Sequence, residues 1–278
     1  MYLPFYGLRE KPFHVTADPA FFYPSAAHRE ALSHLRYGIQ ERLGFLAITG
    51  EVGTGKTTLA KALLREAGET ARTALILHPT LSPAQLLRGV LEDFGEPAPA
   101  AASRGRLLSG IERFLLEQAE QKRACLLVLD EAQALSPQAL EQLRLLSNIE
   151  TPREKLIQIV LLGQPELEKR LTTDPRLRAL NQRIAVRFRM VPLPAEEVAP
   201  YIRHRLKVAG RETAGPDLFT GEAIAWIARH SGGTPRRINL LCDQALLAGF
   251  VREADRIDVP LMEEALGMVA PEEAPVTV

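Results

Sequence analysis

Apolar positions along this chain follow two different periods, and the change between them divides it. From residue 45 to about 190, short unbroken apolar runs alternate with segments at helical spacing. Phe45-Leu46-Ala47-Ile48-Thr49, Thr73-Ala74-Leu75-Ile76-Leu77, Cys125-Leu126-Leu127-Val128-Leu129 and the run 156–162 read as strands, with a fifth at 184–188. Helices are predicted from residue 58, and over 83–94, 104–122 and 137–149, the last capped by Ser136. The stretch 96–102, rich in Pro and Ala, reads as a loop. Strands apolar on both faces, each followed by a helix, predict an α/β fold: a parallel sheet covered by helices on both sides.

Past Pro192-Leu193-Pro194 the strand signal ends. Helical spacing continues at about 195–210, 220–230, 235–251 and 260–269, which predicts a small all-helical lid over 193–270. Residues 271–278, with Pro271 and Pro275, are expected to be a disordered tail. Residues 1–44 differ again. The first 27 hold seven of the sixteen aromatic residues (Tyr2, Phe5, Tyr6, Phe13, Phe21, Phe22, Tyr23) and Pro4, Pro12, Pro19 and Pro24. They are expected to be neither regular helix nor strand, and to bury rings against the α/β core over 45–192. A helix over 25–41, capped by Ser25, follows.

Composition changes this picture little. The chain is 46% hydrophobic and 24% charged, as soluble globular proteins are. Lys+Arg and Asp+Glu are both 34, so no global basic field advertises nucleic acid. No apolar run is long enough to cross a bilayer, and the start Met1-Tyr2-Leu3-Pro4-Phe5 lacks a signal peptide's basic and apolar regions. The expectation is a cytoplasmic protein without a membrane span. Cys125 and Cys242 are too few for a disulfide framework or a metal cage.

Candidate chemistry sits between the first strand and its helix. Gly50-Glu51-Val52-Gly53-Thr54-Gly55-Lys56-Thr57-Thr58 contains G-x-x-x-x-G-K-T, the Walker A phosphate loop. Its small residues let backbone N–H groups curl around phosphate oxygens, and the helix adds its positive end. Lys56 is placed to reach the β- and γ-phosphates, and Thr57 to hold Mg²⁺. ATP and Mg²⁺ are the expected ligands. The aromatic segment then has two open readings: packing alone, or a cover over the adenine.

The third strand ends in Asp130-Glu131, a Walker B pattern. Asp130 is expected at the metal and Glu131 at the attacking water, since phosphoryl transfer asks mainly for positioning and charge neutralisation. One strand intervenes in sequence between the two motifs, as in the additional-strand ATPases. Gln164, after the fourth strand, is placed to reach a γ-phosphate or to orient water. Arg176, Arg178, Arg183, Arg187 and Arg189 crowd one segment; Arg183, just before the fifth strand, is the candidate arginine finger for a neighbouring subunit. Gly232-Gly233-Thr234-Pro235-Arg236-Arg237 opens a lid helix, and Arg236 is the candidate to report nucleotide state to the lid.

Together these residues resemble the AAA+ superfamily, and within it the ExeA-like (general secretion pathway protein A) ATPases. Beyond the Walker motifs, the resemblance is carried by Phe5-Tyr6-Gly7-Leu8, Lys11-Pro12-Phe13, Asp18-Pro19, Phe21-Phe22-Tyr23 and His28-Arg29-Glu30-Ala31-Leu32. Asp130-Glu131-Ala132-Gln133, Gly163-Gln164-Pro165-Glu166-Leu167, Gln182-Arg183-Ile184 and Gly233-Thr234-Pro235-Arg236-Arg237-Ile238-Asn239 complete it. It implies an ATPase with Gln164 at sensor 1, Arg183 at the arginine finger and Arg236 at sensor 2. It also implies a homo-oligomer with its active sites between subunits, serving secretion or envelope machinery through protein partners. ExeA-like proteins continue into a membrane span and a peptidoglycan-binding domain that this sequence does not contain. The same module is similar to the TniB- and TnsC-type transposition ATPases, which bind duplex DNA. Arg203, Arg205, Lys207 and Arg211, with the 176–189 cluster, keep duplex DNA as an alternative partner.

Overall fold

The computed structural model describes residues 1–68, 70–77, 81–152, 154–212 and 216–267. The expected tail at 271–278 and the end of the last predicted helix lie outside them. The described elements are α1 (Tyr2–Phe5), α2 (Ala26–Gln40), β1 (Phe45–Gly50), α3 (Lys56–Ala67), β2 (Ala71–Ile76), α4 (Pro83–Asp93), α5 (Arg104–Glu120), β3 (Ala124–Leu129) and α6 (Pro137–Leu146). They continue with β4 (Ile157–Gly163), α7 (Pro165–Thr173), α8 (Arg178–Asn181), β5 (Ile184–Met190), α9 (Ala195–Val208), α10 (Gly221–Ser231), α11 (Pro235–Val251) and α12 (Val259–Gly267). The chain divides into two compact units. One comprises Met1–His28, Gly53–Thr58 and Val191–Val278; the other Arg29–Val52 and Leu59–Met190.

The second unit is built on a five-stranded sheet in the order β2-β3-β4-β1-β5, every pair parallel. β1 and β4 are buried at every position, which is why they read as unbroken apolar runs. The edge strand β5 instead alternates exposed with partly or fully buried positions, and Arg189 and Met190 carry it past the predicted end. Serine caps start the covering helices: Ser82, Ser103 and Ser136 each accept the N–H three residues on. The core between them includes Phe45, Phe94, Phe114, Leu127, Leu143 and Leu161.

Helix α7 was not predicted. Its signals are local and short: Pro165 at the first turn, Glu166 and Glu168 beside it, and Leu167 and Leu171 one turn apart, both buried. Nine residues give too little periodicity to stand out after an apolar strand.

In the first unit the aromatic segment corrects two expectations. It does contain regular structure, the single turn α1 and a 3-10 turn over Pro19–Phe21 capped by the Asp18 carboxylate. Its rings pack with the lid helices: Tyr2, Tyr6, Phe13 and Phe21 share a core with Tyr201, Phe219, Trp226 and Leu246. Four short helices bury little area by themselves, so added aromatic area completes that core. Arg205, 6% exposed, ties the segment down. Its guanidinium donates to the carbonyls of Pro12 and His14 and lies 4.8 Å from the Phe21 ring. Arg211 donates to the Tyr6 carbonyl at 2.6 Å. Two of the four lid cations considered for DNA are therefore occupied with this chain's own backbone.

The link before α11 depends on glycine. Gly233 has φ +72, and a Cβ there would lie 1.9 Å from the Leu193 carbonyl oxygen. Leu193 N–H also donates to the Gly233 carbonyl at 2.9 Å, so the two backbones cannot separate freely. Gly233→Ala is expected to cost roughly 2–4 kcal/mol, read as a fall in the urea midpoint. Gly232, at φ +55 with open space around it, is the control: Gly232→Ala should cost about 1 kcal/mol.

Candidate active site

β1 ends at Gly50, and the chain turns through Glu51–Gly55 before α3 begins at Lys56. Gly53 at φ +79 and Gly55 at φ +98 make the turn. Both would be strained as any other residue, and both are closed in. A Cβ on Gly53 would meet Arg236 Cβ at 2.6 Å, and one on Gly55 would meet His28 Nε2 at 2.7 Å. Thr54 and Lys56 are buried. The first turn of α3 carries no acidic residue of its own, so its N–H groups and dipole present positive potential at the loop.

Arg236 stands at the start of α11, where its N–H donates to the Gly53 carbonyl at 3.3 Å. The predicted lid residue is thus in direct contact with the phosphate loop.

In the sheet unit, Asp130 follows β3 and is 3% exposed. Its N–H donates to the Ile76 carbonyl, and its Oδ1 accepts the Glu131 N–H, both at 2.9 Å. Glu131 is left-handed, at φ 51 and ψ 37. For a residue with a Cβ this costs about 1 kcal/mol, and the neighbours hold it there. Gln133 Nε2 donates to Glu131 Oε2 at 2.5 Å, and Gln164 Nε2 donates to the same oxygen at 3.2 Å. Gln133 Oε1 accepts the Gln164 N–H at 3.1 Å, which closes the triangle. Arg170 on α7 fixes the far side by donating to the carbonyls of Gln133 and, at 2.9 Å, Leu135.

Glu131 and Gln164, read separately from sequence, are therefore joined by one hydrogen bond. Gln133 and Arg170 had no assigned role. Gln133 lies two residues past Glu131 and was visible only as part of a motif; Arg170 lies on the helix that was not predicted. Parallel order places Gly50, Asp130 and Gln164 at the carboxyl edge of β1, β3 and β4, where ligands bind in such sheets.

Arg183 donates to Ser147 Oγ at 3.2 Å and to Asn148 Oδ1, at the end of α6. Of its cluster, Arg176 is paired with Asp174 at 2.8 Å and Arg187 with Glu168 at 2.9 Å. Arg178 and Arg189 are exposed.

His28, near the start of α2, is 6% exposed and held neutral by burial, its pKa lowered to about 4 against a hydrogen bond to the Thr54 backbone. The unfolded chain therefore binds this proton first as pH falls. The neutral ring's contribution is complete above pH 6.5 and drains away towards pH 4, by about 3 kcal/mol at most. Burial shifts His14 and His204 the same way, so the urea midpoint of the wild type should drop between pH 7 and 4.5, and His28→Gln should drop less.

A family model described as an AAA domain matches residues 39–171. Over 257 residues, 92% of this chain and 46% of the relative, the sequence is 44% identical to general secretion pathway protein A of Aeromonas hydrophila. This chain carries an AAA domain and is similar to general secretion pathway protein A. It spans about half the length of that curated relative. Among solved structures, the AAA+ chain superposes on the ORC2 protein of Aeropyrum pernix in its ADPNP–ADP complexes, with TM-score 0.68 at 18% identity, over 90% of this chain and 70% of that one. The Aeropyrum pernix ORC1 protein in complex with DNA gives TM-score 0.64 at 20% identity, over 93% and 69%. At such identities the likeness shows the fold: a P-loop AAA+ sheet followed by a helical region. Among the described residues, no helix of the AAA+ chain is long and apolar enough to cross a membrane.

Proposed function

We propose that this AAA+ protein hydrolyses ATP to ADP and phosphate, as an oligomeric motor or switch for secretion or envelope machinery. The observation that carries the reading is the pair of amides, Gln133 and Gln164, locking the Glu131 carboxylate beside Asp130 at the edge where Gly50 opens the phosphate loop. The loop from Gly50 to Thr58 takes the triphosphate, with Lys56 on the β- and γ-phosphates. Thr57 and Asp130 offer a hydroxyl and a carboxylate, hard oxygen donors that suit Mg²⁺. When bound, the ion supplies charge neutralisation on the phosphate oxygens.

Glu131 takes a proton from water as that oxygen bonds to the γ-phosphorus. The bond from phosphorus to the bridging oxygen breaks, and ADP leaves. Gln164 holds Glu131 in line and offers its amide towards the γ-phosphate side. Arg236 couples the loop to the lid through Gly53. Arg183 leaves Asn148 to enter a neighbouring copy's site when protomers assemble, which is the role expected of a finger.

The secretion assignment rests on the likeness to general secretion pathway protein A, and protein partners follow from it. The alternative is a switch bound to duplex DNA in transposition. The DNA complex of the ORC1 neighbour favours it; the engaged state of Arg176, Arg187, Arg205 and Arg211 counts against it. ATP hydrolysis measured with and without duplex DNA, at low and moderate salt, separates the two. Indifference to DNA supports the secretion reading, and strong stimulation that fades with salt supports the other.

A further inference from the structure

The ring of His28 lies between the amino-terminal segment and the phosphate loop, and both its nitrogens are engaged. Nδ1 is 2.5 Å from Ser25 Oγ. That same oxygen accepts the His28 N–H at 3.2 Å, as an N-cap does, so its proton is directed to Nδ1. Nε2 faces the loop, 2.7 Å from where a Gly55 Cβ would stand. The bond to the Thr54 backbone favours the protonated ring, so the ring donates and the Thr54 carbonyl accepts. The tautomer is thus fixed with its hydrogen on Nε2. Phe22 packs perpendicular to the ring at a centroid distance of 5.3 Å, and Ser25 is fully buried.

The consequence follows from the trans peptide. The Thr54 carbonyl and the Gly55 N–H belong to one planar unit and point in opposite directions. A donor that pulls the carbonyl to one side aims the N–H to the other. Gly55 accepts this pose because it alone tolerates φ +98 and lets Nε2 come so close.

We propose that His28 is a positioning residue of the phosphate loop: by holding the Thr54 carbonyl it aims the Gly55 N–H at a nucleotide phosphate, and so ties nucleotide affinity to the seating of the amino-terminal segment. This rests on the ATP-binding reading above. It assigns Phe22, Ser25 and His28 a task that neither ring packing nor an adenine cover describes. A Gln side chain can place an amide N–H near the position of Nε2, whereas Ala leaves the carbonyl without its donor.

The test displaces a fluorescent ATP analogue with ADP and with AMP, on the full chain, for the wild type, His28→Ala, His28→Gln and Ser25→Ala. His28→Ala should weaken ADP about tenfold while AMP, which lacks the β-phosphate, changes less than about threefold. His28→Gln should stay within about threefold of the wild type for both, and Ser25→Ala should weaken ADP by about threefold. A purely structural role would lower both affinities together. A folded His28→Ala protein that binds ADP as the wild type does overturns the proposal. If His28→Ala does not fold, Ser25→Ala decides: unchanged ADP affinity overturns the proposal, and selective weakening with His28→Gln intact supports it. A folded wild type that binds neither the analogue nor ADP overturns the nucleotide reading itself, and this inference with it.

Discussion

Glu131→Gln binds ATP as tightly as the wild type and turns it over at least about 100-fold more slowly. The substitution exchanges one carboxylate oxygen for an amide and keeps the size of the side chain. It removes the group able to take a proton from water, an effect typically worth 10²- to 10⁴-fold. It also constrains how the new amide can sit. Gln133 and Gln164 now donate to one carboxylate oxygen, and an amide nitrogen placed there would face two donors. The new side chain therefore turns its oxygen to the two amides, and its nitrogen lies where a base was. Phosphate release under single-turnover conditions, with analogue binding measured alongside, checks this. Unchanged turnover would remove Glu131 from the chemistry.

Lys56→Ala acts earlier, on binding. The side chain is 6% exposed at the first position of α3, so its charge is held in the loop rather than in solvent. Removing it takes away the cation proposed to meet the β- and γ-phosphates while leaving the glycine turn and the helix dipole. Losing a charge-assisted contact to phosphate is worth about 1.5–3 kcal/mol, so ATP affinity is expected to fall at least about tenfold, and turnover at limiting ATP further. Titration of a fluorescent ATP analogue measures the first and phosphate release the second. Affinity within twofold of the wild type would place the triphosphate elsewhere.

How legible the fold was follows from what each element's neighbours demand. β1, β3 and β4 are inner strands that must be apolar on both faces, so their runs were plain in the sequence. β2 is an edge strand whose first three residues, Ala71, Arg72 and Thr73, are only partly buried, and its start was read two residues late. The phosphate loop was legible because its spacing is a mechanism in itself: glycines where φ is positive, then Lys56 where the helix begins.

Other features depend on contacts far along the chain. Arg205 looked like one more surface cation in a basic helix. Only the fold puts Pro12, His14 and Phe21 around it. Sequence shows a charge but not whether a ring will cover it. Gln133 and His28 were part of recognised motifs without a task, because the task is a hydrogen bond to Glu131 in one case and to Thr54 in the other. The amino-terminal rings stand out in composition, yet their partners are in the lid core, about 200 residues away in sequence, where periodicity carries no information.

The central claim is that hydrolysis is performed at the carboxyl edge of this sheet by Glu131. Magnesium-dependent phosphate release from ATP, by wild type and Glu131→Gln purified side by side, tests it most directly. Steady release by the wild type is expected, and release at least about 100-fold slower by the variant, with both proteins binding nucleotide. Equal rates in the two preparations, or no release by a wild type that binds ATP, would contradict it.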